Sequence, residues 1–199
     1  MSATQRANKK LDIAADLDRT LEEIQRLSAA RALGDMFPLE RAAMLLTQFL
    51  SRHTDAFSFE DFPLPIEEGA VLCSYSLTDD HVTPALIVNS IRGGVDSIVH
   101  DHGTWAVIVA AQGIELNRVY KRMDAGAEAG SATLALDRET TVQVGAPLVL
   151  EQGFFHSIHT VTDVPTLQLH LYGVPLDQIT GRQVVDLDTG RLVYLSGPD

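Results

Sequence analysis

The chain has 199 residues, enough to bury a full core without disulfide or metal staples. Apolar residues at 45% and charged residues at 21% are ordinary for a globular domain, and the single cysteine, Cys73, excludes an intramolecular disulfide. The formal net charge of −12, from 27 acidic against 15 basic residues, argues against nucleic acid or an anionic membrane surface as partner. A small anionic substrate stays compatible with that charge, because one buried arginine can dominate one pocket.

The first segment, MSATQRANKKLDIAADLDRT, lacks the apolar stretch of a secretory signal, and no run of ~18 apolar residues offers a membrane span. With the lone cysteine, this gives a cytoplasmic location as the expectation. Residues 10–33 predict a helix: Leu17, Leu21, Ile24 and Leu27 fall on one face, and Gly34 stops it. A second helix is expected from Pro38, with Asp35 as candidate cap and Leu39, Ala42, Leu46, Phe49 and Leu50 as its apolar stripe to about Ser51. Residues 1–55 are therefore read as a helical extension and residues 56–199 as the main body.

From about Gly69 the runs become short, β-branched and bounded by Gly, Pro or Asp. Eleven strands are expected: VLCSYSL, ALIVNSI, WAVIVAA, IELNRVYKRM, ATLAL, TTVQV, PLVLE, HSIHTV, TLQLHLY, RQVVDL and RLVYLS. That pattern indicates an all-β sandwich or barrel. Thr166–Tyr172 alternates strictly, with Leu167, Leu169 and Leu171 on one face and Gln168, His170 and Tyr172 on the other. Residues 123–131 read as an exposed loop, and Asp188-Thr189-Gly190 as a hairpin turn.

Chemistry concentrates in the histidines. His100 and His102 are one residue apart, which on a strand puts both rings on one face, within chelating reach of one ion, with Asp101 facing away. His156 and His159 lie on opposite faces of a regular strand, so only one can join such a site. Arg118 and Arg122 are expected to be solvated, His53 and His81 to lie in inert loops, and Glu115 to be at most an alternative carboxylate ligand.

The glycines extend the pattern. Gly94, His100, His102 and Gly113 read as G-x5-H-x-H-x10-G, and Gly153 with His156 as G-x2-H. Over residues 69–195 these segments resemble the two motifs of the cupin superfamily. The resemblance implies a double-stranded β-helix barrel holding one metal ion on His100, His102 and His156. Ala106 occupies the place of that family's usual glutamate ligand.

A three-histidine cupin, with the phrases HDHGTW and FHSIHTVTDVPTLQLHLYG, resembles the thiol dioxygenases, cysteine dioxygenase and its bacterial mercaptopropionate relatives. That resemblance implies a mononuclear non-haem iron enzyme oxidising a small thiol with O2. It implies catalytic roles for Tyr172 and His170, with Gln168 at the place of the family's serine. The family anchors substrate carboxylate through Arg or Gln on an early strand; Leu72–Ser76 has neither, and Ser74 lies nearest that place. Free cysteine is accordingly expected to be a poor substrate. Ser74, Trp105 and Gln168 are the candidate substrate contacts. Fe(II) is the metal the resemblance implies, while imidazole ligands also suit Ni or Zn. A diketone-cleaving dioxygenase, an isomerase and a non-catalytic metal- or ligand-binding cupin are the alternatives.

Overall fold

The computed structural model describes residues 3–32, 39–79, 81–124, 129–161 and 163–195. Two helices come first, α1 (Ala3–Ala32) and α2 (Leu39–Arg52). The first begins seven residues earlier than the apolar stripe indicates, since Ala3–Lys10 is rich in good helix formers but carries no stripe. The expected stop at Gly34 and the cap at Asp35 and Pro38 lie outside the described residues, as does the centre of the 123–131 loop.

Eleven strands follow among the described residues: β1 (Leu72–Ser76), β2 (Ala85–Ile91), β3 (Val99–His100), β4 (Ala106–Gln112), β5 (Ile114–Arg122), β6 (Leu134–Gln143), β7 (Leu148–Leu150), β8 (Phe155–Thr160), β9 (Thr166–Tyr172), β10 (Arg182–Val185) and β11 (Leu192–Leu195). They are not the expected eleven. ATLAL and TTVQV form one strand, β6, through Asp137-Arg138-Glu139. That charged stretch reads as a turn but sits on a sheet edge, where solvent accepts it. The short β3 has no pattern of its own.

The five-stranded sheet runs β1-β2-β9-β4-β7 and the six-stranded sheet β11-β10-β3-β8-β5-β6, with antiparallel pairing throughout. From the hairpin β5–β6, the pairs nest outward as β4–β7, β3–β8 and β2–β9, alternating between the two sheets. One long hairpin wound up in this way is a double-stranded β-helix. The fold is therefore an all-β cupin barrel with N-terminal helices.

The helices cover the outer face of the five-stranded sheet. Ile24, Leu46 and Phe49 pack with Leu86, Val88, Val107, Val109, Leu167, Leu169 and Leu171 in one buried cluster. Burying a side chain of this size contributes roughly 1.5–3 kcal/mol. All residues of β2 and β9 are buried because these strands are covered on both faces. The inner face carries Ala85, Ile87, Ala106, Ile108 and Tyr172, which pack with Val119, Leu148 and Leu150 inside the barrel. Asp16 of α1 accepts from His53 and Arg52 at the end of α2, so His53 joins the two helices rather than idling in a loop. Among the described residues, no helix is long and apolar enough to cross a membrane.

Candidate metal centre

His100 and His156 are direct cross-strand partners on β3 and β8, which brings their rings to 4.5 Å. His102 lies beyond the end of β3, where the chain turns through Gly103 at φ 66°. Its ring stands 5.3 Å from that of His100 and 4.9 Å from that of His156. One nitrogen from each histidine falls within 4.8 Å of the others. His159 points outward, hydrogen-bonded to Asp96 and Arg118. The opposed faces of β8 thus resolve which of the two histidines joins the cluster.

Hydrogen bonds define the nitrogen each ring presents. His100 donates Nδ1–H to the Ile98 carbonyl (3.0 Å) and His156 donates Nδ1–H to Asn117 Oδ1 (2.7 Å). Both rings, when neutral, therefore keep Nε2 bare. Burial holds His102 and His156 well below the usual histidine range, and the neighbouring histidine and Arg182 charges push the same way.

His102 Nε2 lies 2.9 Å from His156 Nε2, and His102 Nδ1 is buried with no hydrogen-bond partner. If His102 carries its proton on Nδ1, that donor is unmet and two bare nitrogens face each other. A cation between those lone pairs suits this arrangement. Nitrogens bound ~2.1 Å from one ion at right angles lie about 3 Å apart, close to the spacing seen. The donor set thus fits a divalent transition metal.

Behind the histidines runs a buried chain of hydrogen bonds. Asn117 Nδ2 donates to Glu115 Oε1 (2.7 Å) and Gln168 Nε2 donates to Glu115 Oε2 (2.8 Å). Gln168 Oε1 accepts from His170 Nε2–H (3.1 Å), and His170 Nδ1 then accepts the hydroxyl proton of Tyr172 (3.1 Å). Glu115, Asn117, Gln168, His170 and Tyr172 are each at most 2% exposed. Burial pushes the Glu115 carboxyl up to about 7, against the opposing effect of the hydrogen bonds from Asn117 and Gln168. Glu115 is thus no member of the histidine cluster; its oxygens are turned to the two amides.

A pocket of about 200 Å3 opens onto His100, His102 and His170. Its walls are mostly apolar, from residues such as Val71, Leu72, Ile91 and Ile158, with Asn89, Ser97 and Arg182 as polar members besides the histidines. Arg182 is 4% exposed and donates Nε–H to the Asp101 carbonyl (3.2 Å). The Asp101 side chain accepts from the Gln183 amide (2.6 Å), tying the end of β3 to β10, and burial raises its pKa. A cation therefore reaches the pocket from β10, although the early strand supplies none.

The candidate substrate contacts fall elsewhere. Ser74 lies exposed on β1 and donates to Asn89 Oδ1 (2.7 Å), reaching the pocket only through that residue. Trp105 packs in the cluster between helices and sheet, against Gly173, where its ring leaves no space for a Cβ. Gln168 stands behind His170 as a hydrogen-bond partner. Tyr172 points inward, its ring 5.1 Å from that of His102. Arg118 and Arg122 are engaged outside with Glu139 and Asp124, and His81 with Asp177.

Sequence reasoning missed Asn117 and Arg182. Glu115, Asn117 and Val119 alternate on β5 with the polar pair facing inward, a period-two signal that could have exposed Asn117. Arg182 opens its strand directly after Gly181 and carries no local signal.

No protein-family model matches the chain, and no curated protein matches it. Among solved structures, oxalate oxidase in complex with the substrate analogue glycolate aligns over 70% of this chain and 63% of its own, at 12% identity and a TM-score of 0.46. The oxalate decarboxylase–formate complex of Lactobacillus farciminis aligns over 66% of this chain and 33% of its own, at 15% identity and 0.44. Procruciferin, an 11S globulin from Brassica napus, aligns over 62% and 29%, at 14% identity and 0.44. The chain spans less than two thirds of each of these proteins. At such identities and scores the likenesses assign no activity, metal or substrate.

Proposed function

We propose that the chain is a mononuclear metal-dependent dioxygenase of the thiol dioxygenase type, acting on a small thiol that carries an anionic group. The observation that carries this reading is the convergence of His100, His102 and His156 beside a pocket that also holds Arg182. Bound there, a divalent metal supplies Lewis acidity and, as iron, a redox couple for O2. Three neutral imidazoles bring no negative charge of their own.

The chain's residues supply binding and orientation. Arg182 offers a guanidinium to a carboxylate, and the apolar walls receive the hydrocarbon body and exclude water. Placing thiolate and O2 side by side turns a bimolecular encounter into a positioned one. Both oxygen atoms go to sulfur, converting RS− and O2 to RSO2− with no external reductant. His170 accepts a hydrogen bond from the Tyr172 hydroxyl, which fixes the orientation of the phenol, whose ring lies 5.1 Å from that of His102.

Oxygen uptake by iron-loaded protein with 3-mercaptopropionate, cysteine and cysteamine tests the reading. Stoichiometric sulfinate from a thiol carboxylate is expected, with cysteamine slower. Metal-loaded protein that consumes no O2 with any thiol would leave a binding role and overturn the enzymatic one.

A further inference from the structure

The chain of hydrogen bonds behind the histidines has a direction. His156 Nδ1–H points to Asn117 Oδ1, and Asn117 Nδ2–H points to Glu115. From the other side, Tyr172 O–H points to His170 Nδ1, His170 Nε2–H to Gln168 Oε1, and Gln168 Nε2–H to Glu115. Every donor faces the one carboxylate. An amide cannot present its oxygen to Glu115 without presenting its NH2 group to the histidine beyond. Once ionised, above about pH 7, Glu115 can only accept, and it then dictates which way both amides face, and through them where two histidines carry their protons.

We propose that Glu115 is the positioning residue of this centre: its carboxylate keeps Nε2 of His156 bare through Asn117, and keeps the Tyr172 hydroxyl on His170 through Gln168. Its functional consequence rests on the metal reading above. The proton placement does not, and is measurable without metal. Glu115 is fully buried and touches neither pocket nor histidine cluster, so it acts only through the amides. Burying a carboxylate is costly, and a neutral apolar residue would satisfy packing alone. A polar group at this point is explained by what it orients.

Replacing Glu115 with Gln keeps the shape but adds a donor. That donor must face either Asn117 or Gln168, and the facing amide has to turn over. Turning Asn117 presents NH2 to His156, moves the proton to Nε2 and removes the lone pair a metal needs. The expected loss is about tenfold to a hundredfold in metal affinity. Turning Gln168 instead moves the His170 proton to Nδ1 and leaves metal affinity near that of the parent. Adding Asn117→Asp to Glu115→Gln restores every direction. The introduced amide then donates to the new carboxylate and accepts from Gln168, and that carboxylate accepts from His156 Nδ1.

The experiment is nitrogen-15 NMR of the histidine side chains in the metal-free full chain at about pH 8.5, where Glu115 is ionised, with Co(II) titrated into the same samples. The parent protein is expected to carry its protons on Nδ1 of His156 and Nε2 of His170. Glu115→Gln should shift one of the two, and the double variant should return His156 to Nδ1–H with Co(II) affinity within about threefold of the parent. A parent His156 protonated on Nε2 would overturn the proposal. So would unchanged protonation in Glu115→Gln, or a double variant that remains as impaired as the single one. Should Glu115→Gln not fold, the parent tautomers and the double variant still decide. A parent chain that binds no Co(II) while showing the expected protonation would count against the metal reading and support the proton placement.

Discussion

Nδ1 of His156 donates to Oδ1 of Asn117 across 2.7 Å, and this bond decides which His156 nitrogen faces the other two histidines. The ring is fully buried and stands directly across the β3–β8 ladder from His100. The barrel thus supplies both the place of the ligand atom, through strand register, and its lone pair, through a side chain on the neighbouring β5.

Glu115 should leave a signature in the pH dependence of stability. Its folded pKa of about 7 lies above the ordinary 4.5, so the folded chain keeps a proton that the unfolded chain releases between those values. Its contribution is fully present below about pH 4.5 and is lost as pH rises through about 7. The difference amounts to roughly 3 kcal/mol. Urea unfolding of metal-free protein at pH 5 and pH 8 reads it. The parent chain should lose stability relative to Glu115→Gln over that interval, whereas parallel profiles would contradict it.

Tyr172→Phe removes one hydroxyl and keeps the ring. His170 Nδ1 loses its donor, at a cost of about 1–3 kcal/mol. Metal content should be unchanged, since the Tyr172 hydroxyl is engaged with His170 Nδ1 and the proposed ligands are the three imidazoles. If the hydroxyl acts on the reacting complex, thiol oxidation should slow by about tenfold to a thousandfold. Metal analysis and oxygen uptake on one preparation separate the two effects.

Much of the architecture was legible in the sequence, and the reasons are local. Strict alternation in Thr166–Tyr172 sorts three leucines against the helices and Gln168, His170 and Tyr172 into the barrel, as found. The H-x-H and G-x2-H spacings mark the three histidines that converge. Pairings between distant strands were not legible. Arg182 reaches the pocket only because β10 pairs with β3, a contact spanning about eighty residues. Trp105, beside two of the histidines in sequence, faces the opposite layer because the chain turns at Gly103 and enters β4. No pattern in one strand records which residue of another will meet it.

Arg182→Met should weaken the use of thiol carboxylates selectively. A charge-assisted hydrogen bond to a carboxylate contributes ~1.5–3 kcal/mol. KM for 3-mercaptopropionate should therefore rise by about tenfold to a hundredfold, with little change for cysteamine, which has no carboxylate. Equal losses for both thiols would remove Arg182 from substrate recognition.

Gly113 joins β4 to β5 at φ 80°, and a Cβ there would sit 2.5 Å from the Pro165 carbonyl oxygen. Gly113→Ala combines a disfavoured left-handed backbone with a clash against main chain, so a loss of about 2 kcal/mol or more is expected. Thermal unfolding measures it. A change under ~0.5 kcal/mol would mean that the turn between the two sheets relaxes freely.

The most direct measurement is metal stoichiometry with X-ray absorption on the purified chain, beside His102→Ala and His159→Ala. One metal ion per chain is expected, with three imidazole nitrogens at ~2.0–2.2 Å. Occupancy should be lost in His102→Ala and kept in His159→Ala, whose ring faces outward. Full occupancy with unchanged coordination in His102→Ala would show that the metal sits elsewhere, and the central claim would fail.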